Sequence, residues 1–218
     1  MKVNLIILAA GDLGREIFFT SQVMVGSSGQ ELFSTSAFID DAPSKIGQEM
    51  EGIPIISFKM LPDYLNSQTQ FICASGKNTD RTVMINKLES LIKNPKYASI
   101  IHPSVVIFPD VKIASGVFVA ANTTLATGCS IGKHSVVNQN VSVGHDCELE
   151  SNVVVSPGCV LSGRTRIESD VFLGSNVVTY PGISIGEKSV ISAMTSVPRS
   201  VKSFKKIISK PNQMVFDI

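Results

Sequence analysis

The chain has 218 residues and no tryptophan, and aromatics make up only 6% of it. A core without large rings must be aliphatic, and it can be narrow. Four cysteines occur, Cys73, Cys129, Cys147 and Cys159, and none stands at metal-ligand spacing. They read as small buried core residues in a reduced, cytoplasmic setting. Neither sign of charge dominates: the formal net charge is +1, which argues against a general nucleic-acid partner. No apolar run is long enough to span a bilayer, so stable membrane insertion is not expected. Lys2 and the apolar run Val3 to Ala10 imitate a secretory leader, but the run is short, and Arg15 and Glu16 follow almost at once.

What the chain does have is a strict period of six. From Ile101 to Val197 every sixth residue is aliphatic, with Thr179 as the one exception. A helix repeats at 3.6 residues and a strand at 2, so neither gives this beat. A hexapeptide repeat marks a parallel β-helix, in which short strands stack coil upon coil. The other columns agree. Four residues after each beat the side chain is small or β-branched, from Val105 to Thr195, which places that column inward beside the next beat. Two residues after it fall Pro103, Pro109, Pro157 and Pro181, so this column is a corner that needs no ladder donor. Three residues after it the chain is mostly Gly, Asn or Asp, which tolerate the positive φ of a tight corner.

The first hundred residues follow another pattern. Val3 to Leu8 is a run apolar but for Asn4 that leads into Gly11-Asp12-Leu13-Gly14, and Arg15 to Met24 reads as a helix. Strand, glycine turn, helix opens a nucleotide-binding βαβ unit. Ala9 stands where the dinucleotide fingerprint wants its first glycine. The turn is therefore open between a plain connection and a cradle whose N–H groups meet a phosphate. Ala37 to Ile39 reads as a strand ending at Asp40 and Asp41. Ile53 to Ile56 reads as a short strand, and Met60 to Asn66 as a short helix. Gln70 to Ala74 reads as a strand closing in Ser75-Gly76-Lys77-Asn78, and Thr79 to Lys93 as a helix capped by Thr79. In an open α/β sheet ligands gather beyond the carboxyl ends of the strands, which is where Gly11, Asp40, Asp41 and Gly76 fall. The chain divides into a Rossmann-like region at 1–100, a β-helix at 101–198 and a tail at 199–218.

Three histidines are available for chemistry. His102 stands at the junction and His134 in the Gly/Asn/Asp corner column, and both read as structural. His145 lies in the proline corner column, so its ring leaves the prism. Imidazole suits a general base near neutral pH. Asp146 is either its partner or one more turn residue.

The hexads, together with Gly144-His145-Asp146-Cys147, Ser156-Pro157-Gly158, Gly11-Asp12-Leu13-Gly14 and Asp40-Asp41, resemble the sialic acid O-acetyltransferase family. That family includes bacterial nucleotide-sugar N-acetyltransferases that act on 4-amino sugars. The resemblance covers nearly the whole chain. It implies a left-handed β-helix, against the usual crossover rule, and a homotrimer holding acetyl-CoA between neighbouring prisms. His145 then matches the general base and Asp146 the acid that raises its basicity. Gly11, Asp12, Leu13, Asp40, Asp41 and Gly76 match positions that hold the nucleotide sugar, and Asn138 a residue near the sugar. Ser175 and Ala193 match positions that contact CoA. Nine residues after the base, where nucleotide-sugar members often place a second His on the thioester carbonyl, this chain has Val154, which the resemblance also sets against the cofactor. Oxyanion stabilisation would then fall to a backbone N–H or water. Ser209-Lys210-Pro211-Asn212 stands near the family's Gly-x-Pro-Ala-Lys, with Lys202, Lys205, Lys206 and Lys210 as a basic tail.

The expectation is an acetyl-CoA-dependent acetyltransferase acting on a nucleotide-linked amino sugar, without a metal. A sugar O-acetyltransferase and a non-catalytic trimeric sugar-nucleotide-binding protein are the alternatives.

Overall fold

A computed structural model describes residues 2–209. The N-terminal region is a five-stranded sheet in the order β3-β4-β2-β1-β5. Its strands are β1 (Val3–Leu8), β2 (Phe33–Ile39), β3 (Glu49–Met50), β4 (Ile53–Ile56) and β5 (Thr69–Cys73). All neighbours run parallel except the β3–β4 hairpin. β1 is apolar but for Asn4 because it is covered on both faces, and Asn4 donates its amide to Tyr64 O and Thr69 Oγ1. Leu5 and Ile7 join the cluster under helix α1 (Asp12–Val23), while Ile6 and Leu8 join the cluster holding Ile85 and Leu88 of helix α2 (Asn78–Leu91).

Two local expectations are corrected. The short helix is a 3-10 helix over Phe58–Tyr64, with Pro62 inside it. α2 starts at Asn78 behind Lys77 with no side-chain cap, so Thr79 is a helical residue and caps nothing.

From Ile100 the chain winds as a three-sided left-handed β-helix. Two-residue strands pair in parallel with the strands eighteen residues away, as in Leu125↔Val143, Val143↔Leu161 and Leu161↔Thr179. The beat residues fill the axis. Those from Val119 to Val197 are buried, the end positions Ile101 and Ile113 are partly covered, and Ile107 is exposed. Each buried aliphatic side chain contributes roughly 1.5–3 kcal/mol, an upper bound because the unfolded chain hides part of that surface. The turn column takes positive φ, from Asn122 (59°) through Asp146 (56°) and Asn176 (58°) to Met194 (60°). The pairing does not stop at Val197: Lys206–Ile207 adds a strand beside Val190–Ile191.

The three faces differ in what they show outward. The first presents Val106, Thr124, Ser142, Val160, Val178 and Ser196, and the second Lys112, Ser130, Glu148, Arg166 and Ser184. The third presents Phe118, Val136, Val154, Phe172 and Val190, the apolar set. The N-terminal region docks on this third face. Ile17, Phe18, Ala98, Ile100, Phe118, Ala120 and Val136 form one buried cluster across the junction. Lower down, Arg81 of α2 is fully buried; it donates to Asn152 Oδ1 at 2.9 Å and to Ser75 O. Asn152 in turn donates to Asp170 Oδ1 at 2.6 Å and Thr82 Oγ1 at 3.0 Å.

Candidate active site

The edge between the first and second faces carries His145. The chain leaves the strand Ser142–Val143, turns through Gly144-His145-Asp146 and enters the strand Glu148–Leu149. Asp146 takes the positive-φ place. This corner solves the problem that neighbours on a flat strand face opposite ways: it turns both side chains to one side. Nδ1 of His145 lies 2.8 Å from Asp146 Oδ2, and the side chains are 49% and 60% exposed. A carboxylate at this distance favours the tautomer with its proton on Nδ1, which leaves a lone pair on Nε2.

The strand ends of the N-terminal region form a second cluster. Asp40 is half-buried and fully engaged: Oδ2 accepts from Ala10 N (3.0 Å) and Lys45 Nζ (3.0 Å), and Oδ1 accepts from Ala42 N (2.9 Å). Partial burial pushes its carboxyl up, but the bonds from Ala42, Lys45 and Ala10 together hold it below the usual carboxylate value. Asp40 therefore ties the end of β2 to the end of β1. Asp41 is exposed and pairs with Lys87 Nζ at 2.8 Å. Ala9 does adopt a positive φ (81°), the conformation glycine takes in the fingerprint. Gly14 is required by packing, since a Cβ there would lie 2.4 Å from Ala9 O. Gly11 and Gly76 face open space at the two helix starts, so packing does not demand them. Beside the turn, Asp12, Arg15 and Lys45 line a cleft of about 450 Å³.

Ser175 and Ala193 stack eighteen residues apart at the edge between the third and first faces, with Met194 N donating to Ser175 O at 2.8 Å. Gly174 lets these coils approach: a Cβ on it would sit 2.4 Å from Ala193 N. Asn138 lies on this same edge, and Gln139 beside it donates to Glu16 of α1 at 3.0 Å.

The structure thus gathers the expected residues into three groups and does not bring all of them together. His145 and Asp146 occupy one edge of the first face, while Ser175, Ala193 and Asn138 occupy the other. One assignment is corrected. Val154 points outward, yet it is 3% exposed, because its face is the covered one; Asn78 bonds the backbone on both sides of it, at Asn152 O and Val171 O. It offers no surface to a cofactor. Asn138 Nδ2 donates to Val155 O at 2.9 Å, which braces the coil at this edge. Lys202 and Lys205 line a cleft of about 600 Å³ at the foot of the prism, and Lys210, Pro211 and Asn212 lie outside the described residues. No group of residues suited to a metal ion occurs among the described residues.

The sequence reading missed Gly163, which sits against the His145 ring, with its Cβ position 2.3 Å from Nε2. A signal existed: Gly163 falls eighteen residues, one full coil, after His145. Nothing in the linear pattern marks Arg81.

A family model described as "GMPPB C-terminal domain" matches residues 90–195. A galactoside O-acetyltransferase from Lactococcus lactis is 29% identical over 94 residues, 42% of this chain and 45% of that protein, so the match spans less than half of that relative. Among solved structures, the acetyltransferase domain of PglB from Neisseria gonorrhoeae in complex with acetyl coenzyme A has a TM-score of 0.81 at 24% identity, covering 94% of this chain and 96% of that one. A mutant of perosamine N-acetyltransferase from Caulobacter crescentus in complex with CoA and GDP-perosamine has 0.82 at 22%, covering 98% and 97%. WeeI from Acinetobacter baumannii has 0.84 at 21%, covering 98% and 100%. Likeness over whole chains at such low identity establishes the architecture: a small α/β region docked on a left-handed β-helix.

Proposed function

We propose that the chain is an acetyl-CoA-dependent acetyltransferase acting on a nucleotide-linked amino sugar. The observation that carries this is the His145–Asp146 pair at 2.8 Å on an open prism edge. The amine attacks the thioester carbonyl carbon while Nε2 of His145 takes its proton. The tetrahedral oxyanion then collapses, the C–S bond breaks, and the thiolate leaves and takes up the proton. With Val154 apolar and covered, a backbone N–H or water stabilises the oxyanion. The strand ends at Gly11, Asp12, Leu13, Asp41 and Gly76 hold the nucleotide, with Arg15 and Lys45 beside the turn.

The separation of the two edges supports a homotrimer. One chain supplies His145, and the groove is completed by the Ser175–Ala193 edge of a neighbour. The first face, which joins these edges, exposes Val106, Val160 and Val178, flanked by Phe108 and Tyr180. An apolar surface of this kind on a soluble prism suits burial against a second copy.

The test is thiol release from acetyl-CoA with a panel of amino-sugar nucleotides and free sialic acid. Turnover with an amino-sugar nucleotide that falls by about 10²–10⁴-fold in His145→Ala fits the loss of a general base. Unchanged turnover in that variant rejects His145. The likeness to a galactoside O-acetyltransferase favours a second reading, a sugar hydroxyl as acceptor, and turnover confined to hydroxyl acceptors would select it. Binding of a nucleotide sugar with no turnover would mark a non-catalytic binder.

A further inference from the structure

Resting on the transferase reading above, we propose that Gly163 is a positioning residue: its missing side chain is the seat of the His145 imidazole. A Cβ on Gly163 would lie 2.3 Å from Nε2 and 2.7 Å from both Cδ2 and Cε1. Those three distances fix the direction of approach. A point in the ring plane on the lone-pair axis would be about an ångström farther from the two carbons than from Nε2. The point observed is equidistant from both carbons and hardly farther from them than from Nε2, so it lies over the ring face. Gly163 therefore supports the imidazole from below and leaves the in-plane lone pair of Nε2 open. Nδ1 is fixed sideways by Asp146, and Arg164 N donates to His145 O at 2.8 Å, which ties the two coils together under the ring.

Asp146 is seated in the same way but in the opposite direction. Its Oδ1 lies 2.4 Å from where a Cβ on Gly128 would stand, one coil earlier. The dyad is thus spread between two glycines, the carboxylate leaning back over Gly128 and the imidazole leaning forward over Gly163. Similar seats occur where Asn176 covers Gly158 and His134 covers Gly116, so the device is a property of the stack that the dyad uses. Gly128 has φ of +72°, which confounds substitution there; Gly163 has no such constraint, so alanine fits its backbone.

Gly163→Ala tests the seat. The atoms it meets belong to the far end of a side chain, so the fold persists and the ring moves. Three measurements apply: kcat and KM, the 15N resonances of His145, and a stability cycle with His145→Ala. Expected are a kcat lower by tenfold or more with KM values within twofold, loss of the wild-type Nδ1–H tautomer signal, and destabilisation by Gly163→Ala that vanishes in the His145→Ala background. An unchanged tautomer signal together with equal destabilisation in both backgrounds would overturn the proposal. Wild-type kcat in Gly163→Ala would overturn it as well. If the wild-type protein turns over no acceptor, the transferase reading falls, while the resonances and the stability cycle still decide whether Gly163 seats the ring.

Discussion

Thr179 breaks the aliphatic beat, and two arguments give opposite signs for Thr179→Val. The periodicity alone says that valine restores the pattern and adds a buried methyl group, a gain of about 0.8 kcal/mol. The structure says otherwise. Thr179 Oγ1 is fully buried and accepts from Ser162 N at 3.0 Å. In the coils on either side the equivalent N–H donates to a ladder carbonyl, Gly144 N to Leu161 O and Tyr180 N to Val197 O. The Thr179 hydroxyl stands in for that carbonyl, and it also meets Thr165 Oγ1 at 2.9 Å. Valine leaves the Ser162 N–H without its acceptor, at a cost of about 1–3 kcal/mol. Thr165 keeps its bond to Ser162 O at 2.6 Å, so its loss is small. Set against that gain of about 0.8 kcal/mol, the net expectation is destabilisation by up to about 2 kcal/mol. Denaturant unfolding at fixed protein concentration measures it, because association would otherwise shift the midpoint. A midpoint equal to or above wild type, with an unchanged slope, would refute the reasoning. Ser162 also precedes Gly163, so a released ladder would disturb the seat of His145.

Three further expectations follow from buried or strained positions. Burial pushes the His134 imidazole down to about 4 from 6.5, so the unfolded state binds more protons between those values and stability is lost as pH falls from 6.5 to 4. His134→Asn should flatten that slope, by about 2 kcal/mol once the ring's partial solvent access is allowed for; thermal melts at pH 7 and 4.5 would contradict this if both proteins lost stability equally. Arg81→Met removes the donor to Asn152 and Ser75 at a buried junction, and should cost about 2–4 kcal/mol. Amide exchange should speed up first in α2, and uniform acceleration along the chain would argue against a local lock. Met194 is 70% exposed at φ 60°, so Met194→Asn should stabilise by about 0.5 kcal/mol through relief of left-handed strain. A lower melting temperature would show that its side chain has a role the single chain does not reveal.

The local chemistry of the stack was legible because each hexad repeats the same demands. The inward beat, the inward small column and the positive-φ column follow from side-chain shape and corner sterics, which act within a few residues. The exposed corner position of His145 followed from the same register. The docking of the N-terminal region on the third face left a trace that a six-residue reading blurs. Only at a period of eighteen do Phe118, Val136, Val154, Phe172 and Val190 line up as one apolar outward row. Val154 was misplaced for this reason: its column is outward, but its face is covered.

By itself the sequence determined the aliphatic prism, the strand–turn–helix opening and the corner that carries His145, because those features depend on residue types at fixed short spacing. Only the tertiary structure decided that Asp146 turns toward His145, that Asp40 is consumed in tying β2 to β1, that Asn138 and His145 stand on different edges, and that Gly163 lies under the imidazole. These facts depend on how coils eighteen residues apart and two separate regions come to rest against each other, and no short-range preference in the chain encodes those distances.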